Sequence, residues 1–382
     1  MNQPIDPTQD PTFEAWGNSY DVMENKNTHH IDETVTGGAF ASIHYKAWHN
    51  LGSVWNPAEH NGQLPTSLEL LRYAKADYPI YKVPVMAQVE RRDAEGQLLD
   101  IEIPESQRQY ALLRDHPETG RAQILGVVGK DYPTWNPREI LCGFGDALLK
   151  FGQPQAATAG VLDEGRKVFM AFELPDTIKV GGDDEIKFYM TVDTSFDTSS
   201  ATFATLTDIR TVCANTLRAG KRTAANQVRL RKTKNANLAE LQSVKALELV
   251  KPYLTEVKAE AEAMLTTKVS NDLFHEIILR EFGPGEEPSK KSQSLWETLE
   301  EQLMNLFTKA DTHENSRNTA WAGYNTIIEQ ADWHKTIRGY SSADPLTVAT
   351  ARFERSFFGN EDVDAPKLAA RRVFRELAGL SV

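Results

Sequence analysis

Cysteine is nearly missing from this chain, with two in 382 residues, which leaves little scope for a disulfide framework. Cys142 and Cys213 each lie among apolar neighbours, which fits buried reduced thiols better than a bridge. No apolar run reaches the roughly 18–20 residues that cross a bilayer. The polar, Pro-rich start MNQPIDPTQDPTFEAWG has no charged-then-apolar leader pattern. A cytoplasmic protein with no membrane partner is therefore expected. GxxxxGK[ST], GxSxG and HExxH are all missing, and so are paired cysteines at metal-ligand spacing. ATP-driven work and nucleophilic catalysis have no local signature, so no catalytic residue, cofactor or metal is expected. The acidic total, −12, favours solubility and opposes indiscriminate binding to polyanions.

One window lacks acid instead. Residues 209–238 hold eight cations (Arg210, Arg218, Lys221, Arg222, Arg229, Arg231, Lys232 and Lys234) and no Asp or Glu. The rest of the −12 chain then carries −20 once those eight are set aside, so any contact with a polyanion must be local. Lys and Arg that neutralise phosphates release counterions, giving salt-dependent and sequence-tolerant affinity. Aromatic residues are lacking between Phe203 and Tyr253, which suits backbone tracking; stacking rings must come from elsewhere, such as Phe188, Tyr189 or Phe196. The alternative is a solvated face that pairs with acidic neighbours or subunits.

The pattern of the chain predicts an α+β fold, with a strand-rich central antiparallel or mixed sheet followed by a mainly helical C-terminal half. Residues 1–45 read as an extended arm, 46–207 as the strand-rich core and 208–382 as the helical region, with a mobile loop at 282–294. Thr66 or Ser67 with Glu69 predicts a capped helix. Short β-branched and aromatic runs from 79 to 206 predict strands, interrupted by a helix over 139–151. Gly181-Gly182-Asp183-Asp184 reads as a hairpin turn. DIRTVCANTLRAG predicts a helix ended by Gly220, and Pro252 is expected to kink or split the next one. Further helices are expected at 270–281, 294–309, 314–333, 343–358 and 366–379.

Several segments carry a resemblance: AWHNLGSV (47–54), ILGVVGKDYPTWNPREILCGFGDAL (124–148), the stretch 159–220 from AGVLDEG to NTLRAG, and NTAWAGYNTIIEQAD (318–332). In order and spacing these resemble the phage/plasmid-like protein family, domain of unknown function 932, found on mobile genetic elements. This chain departs from the family wording twice. It has Asp193-Thr194-Ser195-Phe196-Asp197-Thr198 where Asn-Ser-His-Asp-Gly is usual, and Lys232-Thr233 where a His-Thr pair is common. The resemblance implies a setting in phage or plasmid biology, within a bacterial host cytoplasm, where replication, recombination and defence are the common tasks.

Other constellations have plainer readings. Five of the nine histidines (His29, His30, His44, His49 and His60) fall near Asp32, Glu33 and Glu59, but their spacing matches no zinc or iron motif. Asp183-Asp184-Glu185 and Asp193/Asp197 offer oxygen ligands for a divalent cation and a nuclease-like chemistry, yet these are also the residues that turns and caps require. The helix 365–380, with Lys367, Arg371, Arg372 and Arg375 against Leu368, Val373, Phe374 and Leu377, reads as one that docks on its own body or on a neighbouring subunit. The expectation is a non-enzymatic, homo-oligomeric protein that binds nucleic acid, with single-strand DNA binding or annealing in recombination or replication as its form. The rival is an assembly or host-defence-inhibiting protein that does not bind DNA.

Overall fold

The computed structural model describes residues 39–42, 53–55, 57–117, 119–149, 155–181, 184–210, 215–216, 227–235, 250–337, 345–358 and 361–380. The fold is α+β, as expected. A large sheet is built from β1 (Ala39–Ser42), β2 (Ser53–Val54), β8 (Gln155–Leu162), β9 (Lys167–Val180), β10 (Asp184–Ser195), β11 (Thr202–Arg210), β12 (Asn215–Thr216) and β13 (Gln227–Leu230). Its order is β12-β11-β10-β9-β8-β1-β2, with β13 also on β11; every pairing is antiparallel except β1 with β2. A three-stranded antiparallel sheet joins β3 (Tyr81–Met86), β6 (Glu105–Asp115) and β7 (Ala122–Gly129). A separate hairpin pairs β4 (Val89–Arg92) with β5 (Leu98–Glu102).

Alternation along β9, β10 and β11 gives the large sheet two unlike faces. Register puts Val168, Met170 and Phe172 with Met190, Val192, Ala204 and Leu206 on one face, all buried. Three helices cover that face: α1 (Ser67–Tyr73), α2 (Pro137–Leu149) and α3 (Val250–Thr266). Phe144 of α2 meets Phe172, Tyr253 of α3 meets Phe188 edge-on, and the Tyr253 hydroxyl donates to Asp208. The opposite face carries Thr158, Thr191, Asp193 and Thr205, polar yet buried.

Local signals hold where they are strong. Thr66 caps α1, and Glu69 closes the reciprocal capping box. β9 and β10 run up to the predicted turn, where Gly181 takes a φ of +63°. The helix expected over 208–220 is corrected at 208–210 and 215–216; residues 211–214 and 217–220 lie outside the described residues. β11 continues to Arg210, with Ile209 buried opposite Lys187, and Asn215–Thr216 returns as β12. β-branched Thr207 and Ile209 extend a strand whose neighbour is already in place, and that pairing overrides the helical spacing.

The C-terminal half holds α3, α4 (Asn271–Phe282), α5 (Lys290–Lys309), α6 (Ala320–Glu329), α7 (Pro345–Phe358) and α8 (Glu361–Leu377). Helix α3 is described from Val250 onward and contains Pro252; residues 236–249, over which the expected kink or split would be judged, lie outside the described residues. Helix α5 starts at Lys290, capped by Ser289, earlier than the predicted loop allows. Every residue of α6 is buried, against α8, α3 and α5. Its Gly323 permits that packing, because a Cβ there would lie 2.6 Å from Phe374. A π turn over Gln330–His334 ends α6. Helix α8 docks on the body: Arg371 and Arg375 both reach Glu260 of α3, Arg372 reaches Glu281, and Lys367 pairs with Asp332. Among the described residues, no helix is long and apolar enough to cross a membrane.

Candidate nucleic-acid interface

Alternation decides how β13 presents the basic segment. Val228 and Leu230 pair with Ala204 and Thr202 and join the apolar face, whereas Arg229 points the other way and is exposed. Its guanidinium carbon sits 5.7 Å from the centre of the Phe203 ring, a cation–π distance that limits where the side chain ranges. Beyond the strand, Arg231 and Lys234 are exposed, and Lys234 lies 3.6 Å from Asp131, itself well exposed. A surface pair of that kind is worth little and is easily exchanged for phosphate. Arg210 ends β11, and Arg218, Lys221 and Arg222 lie outside the described residues.

Lys232 behaves differently from its neighbours. Its ammonium turns inward, donates to the Ser195 carbonyl and lies 4.6 Å from the centre of the Phe196 ring. Burial pulls its pKa down to about 7, against the attraction of Asp197 and Asp193. That ammonium is committed to the loop after β10 and not to solvent, so the exposed cations of this stretch are Arg229, Arg231 and Lys234.

The loop it holds is tightly made. The Asp197 carboxylate accepts from the Ser199 N–H at 2.9 Å, and Ser195 and Ser200 exchange hydrogen bonds at 3.0 and 2.8 Å. Burial would raise the Asp197 carboxyl, but the bonds from Ser199 and Ser195 together with Lys167 hold it below its ordinary value. Tyr132, across the loop, is pushed up to about 12 by burial and by Asp197. Gly126 of β7 lets the loop settle, because a Cβ there would meet the Phe196 carbonyl at 2.8 Å. Such a lysine exchanges its proton near neutrality, and in its charged form it fastens the loop to the segment after β13.

Sequence reasoning read Asp193 and Asp197 as turn and cap residues and Lys232 as an outward cation, so it missed their meeting. One signal was available: residues 193–198 and 232–233 are the two places where the chain departs from the family wording, and the fold brings them into contact. Asp183 lies outside the described residues, and Glu185 and Asp193 stand far apart along β10, so the described acidic candidates form no common cluster. Among the described residues, no group of three or more His, Cys, Asp or Glu is placed to hold a metal ion. Of the five early histidines only His60 is described, and it stacks on Trp55 at 3.6 Å. Cys142 is a buried free thiol, raised by burial to about 12, and Cys213 lies outside the described residues.

The comparisons with curated proteins and with solved structures find no match. A family model described as Domain of unknown function (DUF932) matches residues 124–355, running from β7 to α7 through the loop, Lys232 and α6. Because that match spans more than half of the 382 residues, the chain belongs to this family.

Proposed function

We propose that the chain is a non-enzymatic, oligomeric nucleic-acid-binding protein of a phage or plasmid, working in the host cytoplasm. It holds single strands by their backbone during annealing, recombination or replication. The observation that carries this reading is the acid-free segment at β13, which exposes Arg229, Arg231 and Lys234 within six residues. Among the described strands β13 pairs only with β11, so these cations stand at a margin of the sheet where a strand of nucleic acid has access. Few phosphates are met per chain, and repetition around an oligomer multiplies them.

Fluorescence anisotropy with single-stranded DNA tests the reading. Affinity should fall steeply with salt, and the triple reversal Arg229→Glu, Arg231→Glu and Lys234→Glu should abolish binding while the melting temperature holds. Arg231→Gln alone should lower the log–log salt slope by about 0.7 if it meets one phosphate. Unchanged affinity and slope in the triple variant would remove the segment from the mechanism.

A second reading, an assembly protein without DNA, is favoured by a different feature. Val83, Ala111 and Val127 form one cross-strand row on β3-β6-β7, with Ile124 beside it, and Val83, Ile124 and Val127 are exposed. On the neighbouring hairpin Val89, Leu98 and Ile101 are exposed as well, Val89 and Ile101 on opposite faces. Apolar patches of this kind mark contact sites. This reading predicts a defined oligomer by light scattering at any salt, with no retention of DNA.

A further inference from the structure

A cavity of roughly 410 Å³ lies where the π turn after α6 meets α5, α7 and α8. That volume falls within the range of small-molecule sites. Among the described residues its cations are Lys335, Arg352 and Arg355, and its acids are Asp332 and Asp362. Asp332 is already matched by the buried Lys367, so the described lining keeps an excess of positive charge. Lys335 donates to the backbone carbonyl of Asp362, which fixes its stem at the rim.

Arg352 is the informative residue. Its Nε is buried with no hydrogen-bond acceptor, and neither Arg352 nor Arg355 has an ion pair among the described residues. A guanidinium partly withdrawn from water without an anion bears part of its desolvation cost, and supplying one offsets it. Burial lowers Arg352 below its ordinary pKa with nothing opposing it. Lys335 is lowered as well, first by burial, with Asp362 pulling up and Arg355 pushing down. Leu295, Ile337 and Val363 supply an apolar wall. The π turn, an insertion often kept where a helix serves a site, places Asp332 and Lys335 at the cavity.

We propose that this cavity binds a phosphomonoester, its terminal phosphate met by Arg352, Arg355 and Lys335 and its organic part resting on the apolar wall. Two guanidinium forks suit the oxygens of a phosphate, and its double negative charge suits a site with surplus cations. The site is separate from β13 and stands whether or not that segment binds nucleic acid.

Isothermal titration of the full chain tests it with inorganic phosphate, adenosine monophosphate, glucose 6-phosphate, and the unphosphorylated adenosine and glucose. A 5′-phosphorylated trinucleotide and its 5′-hydroxyl counterpart complete the set. Saturable binding of one phosphorylated probe per chain is expected, with none for its unphosphorylated partner. Arg352→Gln and Arg355→Gln should each weaken it roughly tenfold or more. Arg355→Gln covers the case in which Arg352→Gln unfolds the helical body. Preference for the trinucleotide assigns the phosphate to a strand end, and preference for a monomeric probe assigns it to a free metabolite; either supports the site. No phosphate-dependent heat, or heat unchanged in both variants, overturns it.

Discussion

Lys232 illustrates how one side chain couples charge to the shape of a loop. Folded, its pKa is about 7, whereas the ordinary value is 10.5. Between those values the unfolded chain binds more protons than the folded one, so this residue makes stability rise with pH across that window. Below about pH 7 both states carry the proton, and the burial cost is present in full. Lys232→Met should therefore show a flatter rise in urea midpoint from pH 7 to pH 10.5 than the parent, and should be no less stable at pH 7. A parallel rise in both proteins would show that the ammonium is solvated and that the loop is held by other contacts.

At the level of elements, α8 shows how charge fixes a helix as firmly as its apolar stripe. Glu260 lies buried on α3 and receives Arg371 at 2.7 Å and Arg375 at 2.6 Å, while Phe374 enters the core beside Gly323. Removing one partner of such a cluster strands the others in a poor solvent, at a cost of about 3–5 kcal/mol. Glu260→Ala is accordingly expected to lower stability by that order in denaturant titration, and Glu256→Ala, at the exposed margin of the same cluster, by less than about 1 kcal/mol. Equal effects from the two would mean that the cluster is not desolvated. The basic face of α8 is thus largely engaged by its own body.

For the whole molecule, the unbalanced feature is the outer face of β3-β6-β7. A chain of net charge −12 repels its own copies, so association needs contiguous apolar surface, which Val83, Ile124 and Val127 provide. The adjacent hairpin carries both signs, with Arg91 on Glu102 and Arg92 on Glu90, a rim compatible with a two-fold contact between copies. Ile124→Lys together with Val127→Lys should reduce the particle mass in light scattering without moving the melting transition by more than a few degrees. Persistence of the parent mass would mean that this face makes no contact between copies.

Much of the fold was legible in the sequence because its signals are local. The box Thr66–Glu69, the Gly-rich turn after β9, and the spacing of apolar residues in α4, α7 and α8 each act within a few residues, and each appears near its expected place. The basic window and the two departures from the family wording were equally plain to read. Tertiary structure alone decided three things. It extended β11 to Arg210, because pairing with β10 outweighs helical spacing. It turned Lys232 away from its basic neighbours, because the loop it meets lies 37 residues earlier in the chain. It gathered Lys335, Arg352 and Arg355 around one cavity, because only the packing of α5, α7 and α8 about a buried α6 brings them together. Local free energy is written along the chain, whereas burial and the meeting of distant charges exist only once the chain has closed on itself.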